Sequence, residues 1–178
     1  MELLTSAGLL EVVNEPAYAF DSTDNARTYP IAKNLARGSR PSSVHGVLVD
    51  GEPVMVIGAA GGASGVHANS CVALDDLLYL AIGNSVVCLR LNPVEQAWVL
   101  QIDEATCFGV HVNLQRRALI SHGELSISRF TADGEISWQA YGEDIFSEAI
   151  ALHQNSIEAV DFNGRTYHFN YDSGQNDA

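Results

Sequence analysis

The chain has 178 residues, with 22 acidic residues against 9 basic ones and a formal net charge of −13 at pH 7. Hydrophobic residues make up 47% of the chain and charged residues 17%, which is typical of one folded domain and not of a disordered chain. Nucleic-acid binding is disfavoured, because neutralising phosphates requires a basic surface.

Three further features of the sequence bear on where the protein is located in the cell. No apolar run approaches the roughly 20 residues that a membrane helix needs, and no basic region precedes the first apolar residues as it would in a signal peptide. The three cysteines, Cys71, Cys88 and Cys107, are odd in number and lack the spacing of a disulfide framework or a CxxC metal site. We therefore expect a cytoplasmic protein with reduced, buried cysteines and no membrane contact.

Residues 1–63 form an N-terminal region of irregular pattern. An apolar stretch at 9–20 is interrupted at Asn14, Glu15 and Pro16, which predicts one or two short strands. Residues 21–43 are rich in turn formers, so we predict a loop there, with a short helix over 31–37 as a further option. The loop holds four of the nine basic residues, and we predict that Arg37 and Arg40 contact a partner; a solvated linker is the alternative.

The last part of this region combines a hairpin with a glycine-rich stretch. Alternating apolar residues at 44–50 and 53–57 flank an Asp-Gly turn, which indicates a β-hairpin. The run from Gly58 to Gly65 resembles the phosphate loop of nucleotide-binding dehydrogenases, which implies a nucleotide-binding oxidoreductase built on residues 54–65. Since no amphipathic helix and no βαβ alternation follow, we favour a flexible connector.

A repeat begins at Gly65. The tryptophans Trp98 and Trp138 lie 40 positions apart, and the motif Gly-Val-His-x-Asn occurs at 65–69 and at 109–113, with a looser match at 151–155. Periods of about 40 residues with four strands per unit are typical of propeller arrays. The best-defined unit predicts strands at 109–113, 118–122, 124–131 and 135–140.

We therefore predict one all-β domain covering residues 1–178. Its N-terminal strands, basic loop and hairpin occupy 1–63, and about three β-propeller-like units of four antiparallel strands occupy 64–178. The array is either incomplete or closed by the N-terminal strand at 9–20, which would supply the fourth strand that the last unit lacks. An uncovered sheet edge invites pairing, so a homodimer is a further expectation.

Two motifs in the repeat resemble known propeller blades. The segment from Phe130 to Trp138 is similar to the closing turn of PQQ-like repeats, where an aspartate and a glycine precede a strand with tryptophan, and Phe169 to Gly174 resembles the same turn. The strand at 109–113 is similar to the opening strand of WD40-like and NHL-like blades. The resemblance covers residues 64–175 and implies an architecture without implying a function.

Three histidines hold matching positions in the repeated motif: His67, His111 and His153. Equivalent residues of successive blades converge on a propeller axis, and imidazole nitrogens are common ligands of Zn²⁺ and Fe²⁺. These histidines therefore predict a metal site and, with it, a metal-dependent hydrolase or lyase as an alternative function. The competing interpretation is that each histidine only hydrogen-bonds its own turn.

Two acidic pairs follow the tryptophan strands at the same spacing, namely Asp103-Glu104 and Glu143-Asp144. Repeat-related positions lie on one side of a propeller, so we predict an acidic rim there that contacts a partner, by charge a basic one. We find no nucleophile elbow and predict no catalytic residue and no resident cofactor. The favoured function is a non-catalytic binding module that engages a protein partner through a loop face.

Overall fold

The computed structural model describes residues 1–177, and within them all regular structure is β, in sixteen strands that form four sheets. We number the sheets blades 1 to 4 in chain order. The predicted all-β class built from repeated four-stranded antiparallel units is confirmed. Within the same residues no helix is long and apolar enough to cross a membrane.

Blade 1 has five strands in the order β1-β2-β4-β5-β3. They are β1 (Glu2–Thr5), β2 (Gly8–Asn14), β3 (Ile31–Asn34), β4 (Ser43–Val49) and β5 (Glu52–Ala59). The pair β4–β5 is the hairpin that the sequence predicted. Strand β3 replaces the short helix considered for 31–37, and it pairs parallel to β5 with Lys33 opposite Ile57.

Blades 2 and 3 are antiparallel sheets whose four strands follow one another in sequence order. Blade 2 contains β6 (Cys71–Leu74), β7 (Leu77–Ile82), β8 (Ser85–Leu91) and β9 (Val94–Gln101). Blade 3 contains β10 (Cys107–Asn113), β11 (Ala118–Gly123), β12 (Ser126–Phe130) and β13 (Ile136–Tyr141). Both blades carry a register shift between their third and fourth strands, directly beside the pair that includes Trp98 or Trp138, which adds to the likeness of the two units.

Blade 4 has three strands, β14 (Ala151–Leu152), β15 (Ser156–Val160) and β16 (Thr166–Asn170). Residues 175–177 lie along β16 where a fourth strand would be: the amide of Asn170 donates to Gln175 O and that of Asp177 to His168 O. The N-terminal strands belong to blade 1, where β2 pairs with β1 and β4. The proposed closure of the last blade by residues 9–20 is therefore corrected.

The blades stack through alternating side chains of their strands. In β7, Leu78 and Leu80 pack toward blade 1, whereas Tyr79 and Ala81 pack toward blade 3, because successive residues of a strand point to opposite faces. A third cluster, including Ile120 and Phe146, joins blades 3 and 4. Burying one large apolar side chain contributes roughly 1.5–3 kcal/mol, so these layers account for the propeller-like stacking of the sheets.

The two tryptophans make the same contact at successive blade interfaces. Trp98 of β9 donates from Nε1 to Ala132 O at 2.9 Å, and Trp138 of β13 donates to Tyr171 O at 2.7 Å. Both acceptors lie in turns of the following blade that continue to a glycine packed on the indole ring, Gly134 and Gly174. The outer strand of one blade is thereby fixed to a turn of the next.

All three cysteines are free and buried, as the sequence predicted. Burial raises the pKa of Cys71 and Cys107 to about 12 and that of Cys88 to about 11. Because the thiolate is the nucleophilic form, these side chains serve packing and not chemistry.

Candidate functional site

The three predicted histidine ligands hold non-corresponding positions in their blades. His67 lies four residues before β6, whereas His111 is inside β10, opposite Ile120 of β11. His153 directly follows β14 and is exposed. The assumed structural equivalence of the three histidines is therefore wrong, although the blades themselves repeat.

Their side chains also have different partners. His67 Nε2 lies 2.8 Å from Phe108 O, and its Nδ1 accepts a hydrogen bond from the Asn69 amide. His153 Nε2 lies 3.0 Å from Glu158 Oε2. Among residues 1–177 no group of three or more His, Cys, Asp or Glu side chains is arranged to hold a metal ion. Zinc or iron binding by these histidines thus stays a prediction without geometric support.

A different histidine cluster lies inside the molecule. Burial lowers the pKa of His45, His111 and His122 to about 4, and the neighbouring His67 contributes to each shift. Each has one buried ring nitrogen without a hydrogen-bond partner in the described part of the chain: Nδ1 of His45 and Nε2 of His111 and His122. The members come from blades 1 and 3 and share no spacing in the sequence, so no sequence pattern could have indicated the cluster.

One member of this cluster faces a serine, which raises the possibility of a catalytic pair. His45 Nε2 lies 3.5 Å from Ser64 Oγ, but this hydroxyl also donates to Ser43 Oγ and accepts from the Gly83 amide. Within residues 1–177, His45 Nδ1 has no carboxylate partner, and the lowered pKa of His45 makes the imidazole a weak base. The pair therefore lacks the third group and the basicity that an activated serine needs.

The glycine-rich stretch is occupied by contacts within the protein. Ala60 O accepts from the Asn84 amide, and the Gly62 amide donates to Ala105 O. The next regular element is strand β6 and not a helix, so no helix N-terminus faces this loop. The stretch connects blades 1 and 2, and the geometry that a nucleotide loop requires is not formed.

Asp103 differs from the other predicted acidic contact residues because its side chain is buried. Its Oδ2 accepts from the amide and hydroxyl of Ser126 at 3.0 and 2.9 Å, and its Oδ1 accepts from the Ala105 amide at 2.8 Å. The carboxylate thus holds the turn between β11 and β12. With an exposed fraction of 3%, Asp103 is corrected from a partner contact to a structural residue.

The remaining three acidic residues come together in one groove. Glu104, from the linker between blades 2 and 3, and Glu143 and Asp144, from the linker between blades 3 and 4, line a cavity of about 310 Å³. The linkers are held by backbone hydrogen bonds from Glu124 N to Thr106 O and from Phe146 N to Glu124 O. We call this cavity, with Tyr141 at its rim, the acidic groove.

The charges in the acidic groove are only partly compensated. Arg165 pairs with Glu143, and Asp144 Oδ2 accepts from Asn163 Nδ2 at 2.7 Å, whereas Glu104 is exposed and has no ion-pair partner among residues 1–177. The Tyr141 ring is 62% exposed, and its hydroxyl donates to Gln139 Oε1. An aromatic ring beside excess negative charge is a suitable contact surface for a basic chain.

The predicted basic contact residues lie elsewhere. Arg37 lines a groove between blades 1 and 2, and Arg40 lines a smaller cavity of about 260 Å³ together with Tyr18 and Ser64. Both arginines are exposed. Arg37 and Arg40 therefore line two different cavities, and neither of them lines the acidic groove.

Comparison with known proteins gives little beyond this description. No protein-family model matches the sequence, and no curated protein matches it. The solved structure of BamB from Moraxella catarrhalis is similar over 79% of this chain, with 13% identity and a TM-score of 0.32. The chain spans 59% of the length of that protein. A TM-score of 0.32 indicates only weak structural similarity. The propeller-like architecture is therefore inferred from the strand pairing and the contacts between blades.

Proposed function

We propose that the protein is a non-catalytic binding module that docks a basic segment of a protein partner in the acidic groove. The observation that supports this function best is the convergence of Glu104, Glu143 and Asp144 from two different linkers onto one groove beside an exposed tyrosine. A cluster of one charge sign steers an oppositely charged partner and raises the association rate.

We also propose which type of propeller repeat the chain contains. An Asp-Gly turn that precedes a tryptophan-bearing strand is the motif that resembles PQQ-like blades, and we assign the repeat to that type in preference to WD40-like or NHL-like blades. Blades of this kind present their loops on the two ends of the sheets. The acidic groove lies at the end that carries the turn between β11 and β12, where Leu125 and Ser126 form one wall.

Site-specific photocrosslinking tests the proposed docking surface. A photoreactive phenylalanine derivative at Tyr141 should crosslink to a partner in cells of the native source. The same residue placed at Leu114, which is 68% exposed at the opposite end of blade 3, should not. The crosslink at Tyr141 should be lost on Glu104→Lys combined with Asp144→Lys, because these changes reverse the charge of the groove.

A matched charge reversal serves as the control. Glu2→Lys combined with Glu52→Lys lies on blade 1, away from the groove, and changes the net charge by the same amount at two exposed positions. It should leave the Tyr141 crosslink unchanged. Equal crosslinking from Tyr141 and Leu114, or a crosslink that survives the double reversal, would contradict docking in the acidic groove.

A further inference from the structure

The unpaired positive charge of this acidic protein is concentrated in one short segment. Six of the nine basic residues form ion pairs with carboxylates, and these are Arg27, Arg90, Arg116, Arg117, Arg129 and Arg165. In the part of the chain that the structure describes, Lys33, Arg37 and Arg40 have no carboxylate within 4.0 Å. All three lie within residues 33–40: Lys33 in β3, and Arg37 and Arg40 in the segment between β3 and β4.

Arg37 from this segment lines a groove of about 610 Å³ between blades 1 and 2, which we call the amide groove. Its size lies within the roughly 300–1,000 Å³ that small-molecule sites occupy. The blade 1–blade 2 interface also differs from the next two interfaces, where Trp98 and Trp138 dock on the following blade. Both tryptophans of the chain are used there, and none remains for this interface.

Most of the polar side chains that line the amide groove are carboxamides, and several of their donor and acceptor atoms form no hydrogen bond within residues 1–177. Gln96 Oε1 is buried and has no hydrogen-bond partner among residues 1–177. Asn34 and Asn84 use their Oδ1 atoms, which accept from Ala36 N and Ser85 Oγ, while none of the hydrogen bonds in this part of the chain involves their Nδ2 groups. The groove therefore offers amide donors beside a guanidinium, together with one desolvated acceptor.

Apolar side chains complete the groove. Leu35 and Ala36 come from the turn after β3, and Val99 from β9 faces them with 38% of its surface exposed. Among the described residues that line the groove, Arg37 alone is charged. An occupant thus meets one positive charge, neutral hydrogen-bonding groups and a small apolar wall.

We propose that the amide groove binds a small organic carboxylate that also carries hydrogen-bond donors. The carboxylate would pair with Arg37, since a guanidinium binds carboxylates in a bidentate manner, and a donor would satisfy Gln96 Oε1. Hydroxyl groups of a sugar acid and amide groups of a short peptide with a free C-terminus supply the same chemistry. This inference does not depend on the acidic groove.

The neighbouring blade provides an internal comparison. Ser85 and Gln101 form a cross-strand pair at the edge of the amide groove, and Ser126 and Tyr141 form the same pair at the acidic groove of blade 3. The two grooves are therefore repeat-related but opposite in charge. A carboxylate should enter the first and be repelled by the second.

Titration followed by ¹H–¹⁵N correlation spectra tests the proposal with two probes, sodium glucuronate and N-acetyl-glycyl-glycine. At least one of the two should shift the amide signals of Ala60, Asn84 and Val99 in a saturable manner. Glucose, which has the hydroxyls but no carboxylate, should bind at least tenfold more weakly than the carboxylate that binds more tightly. The probe with the higher affinity identifies the source of the carboxylate.

Variants assign the interaction to the groove. Arg37→Gln should weaken binding at least tenfold and Gln96→Leu should also weaken it, whereas Arg40→Gln, which removes an unpaired arginine from a different cavity, should leave the affinity unchanged. Unaltered spectra outside the groove show that each variant is folded. No saturable shift with either carboxylate, binding of glucose as tight as that of the tighter carboxylate, or full affinity in Arg37→Gln would overturn the proposal.

Discussion

At the scale of single residues, the buried histidines make folding sensitive to acid. His45, His111 and His122 have a pKa of about 4 in the folded chain, against 6.5 for a solvated histidine, because burial disfavours the charged ring. Above pH 6.5 the rings are neutral in both states and contribute nothing to pH dependence. As the pH falls from 6.5 toward 4, the unfolded chain binds protons that the folded chain does not, so stability is lost.

We therefore expect cooperative unfolding as the pH falls between 6.5 and about 4. A shift of this size corresponds to roughly 3 kcal/mol for each of these rings, and typical domains are stable by only about 5–15 kcal/mol. Urea denaturation at a series of pH values measures the effect. His122→Gln, which replaces a titrating ring by a neutral amide, should reduce the loss of unfolding free energy by about one third.

An exposed histidine provides the comparison for this experiment. His153→Gln removes a ring that is 51% exposed and next to Glu158, and it should reduce the acid-induced loss of unfolding free energy less than His122→Gln does. If the two variants flatten the curve equally, the buried cluster is not the source of the acid sensitivity.

At the scale of strands and turns, the docking of tryptophan on a glycine is the contact that repeats. Gly134 has φ of +84°, and a Cβ built there would lie 2.9 Å from Trp98 Cδ2. Gly51 has nearly the same φ, +82°, but nothing within 4 Å of a built Cβ. Gly51→Ala should therefore cost about 1–2 kcal/mol for the backbone conformation alone. Gly134→Ala should cost about 1–3 kcal/mol more, because it also displaces the indole.

Chemical denaturation of the two alanine variants gives this difference directly. In a Trp98→Phe background the extra cost of Gly134→Ala should shrink, and a double-mutant cycle measures the coupling of the two residues. Equal destabilisation by Gly51→Ala and Gly134→Ala would show that the indole contact does not hold blade 3 against blade 2.

The elements that the sequence predicted well are those with local signals. The Asp-Gly turn before β13 and the alternation in β12 depend on neighbouring residues, and both were predicted close to their observed positions. Strand β3 was missed, because its four residues form a strand only through parallel pairing with β5, which is remote in sequence. The match of four residues in five around His67 and His111 was too short to fix a structural register.

For the candidate site, too, the repeat spacing in the sequence was informative, whereas the orientation of single side chains was not. The spacing of the acidic pairs from the tryptophan strands predicted one acidic rim, and Glu104, Glu143 and Asp144 line one groove because repeated linkers follow repeated paths. Their contact with a partner stays a prediction. Composition alone could not show that Asp103 turns inward to cap a neighbouring turn. Nor could it show that Gln96 leaves a buried carbonyl unpaired, since that depends on how blades 1 and 2 face each other.

At the scale of the whole molecule, apolar clusters join blade 1 to blade 2, blade 2 to blade 3 and blade 3 to blade 4. Among residues 1–177 no such cluster joins blade 4 to blade 1, so the array is open. An open array leaves sheet edges that can pair with other chains. The edge of β16 is shielded by residues 175–177, in which Asn176 pairs with Phe169. These residues take the place of a fourth strand and should keep blade 4 from self-association.

Deleting residues 175–178 should expose the free amide and carbonyl groups of Asn170 and His168 and cause concentration-dependent association through β16. Sedimentation velocity should then give a larger species than the full chain forms at the same micromolar concentration. Asn176→Ala removes only the side-chain acceptor of the His168 amide and keeps the backbone bonds, so it should sediment like the full chain. If the shortened chain also sediments like the full chain, the segment contributes no protection, and the three strands of blade 4 resist edge pairing by themselves.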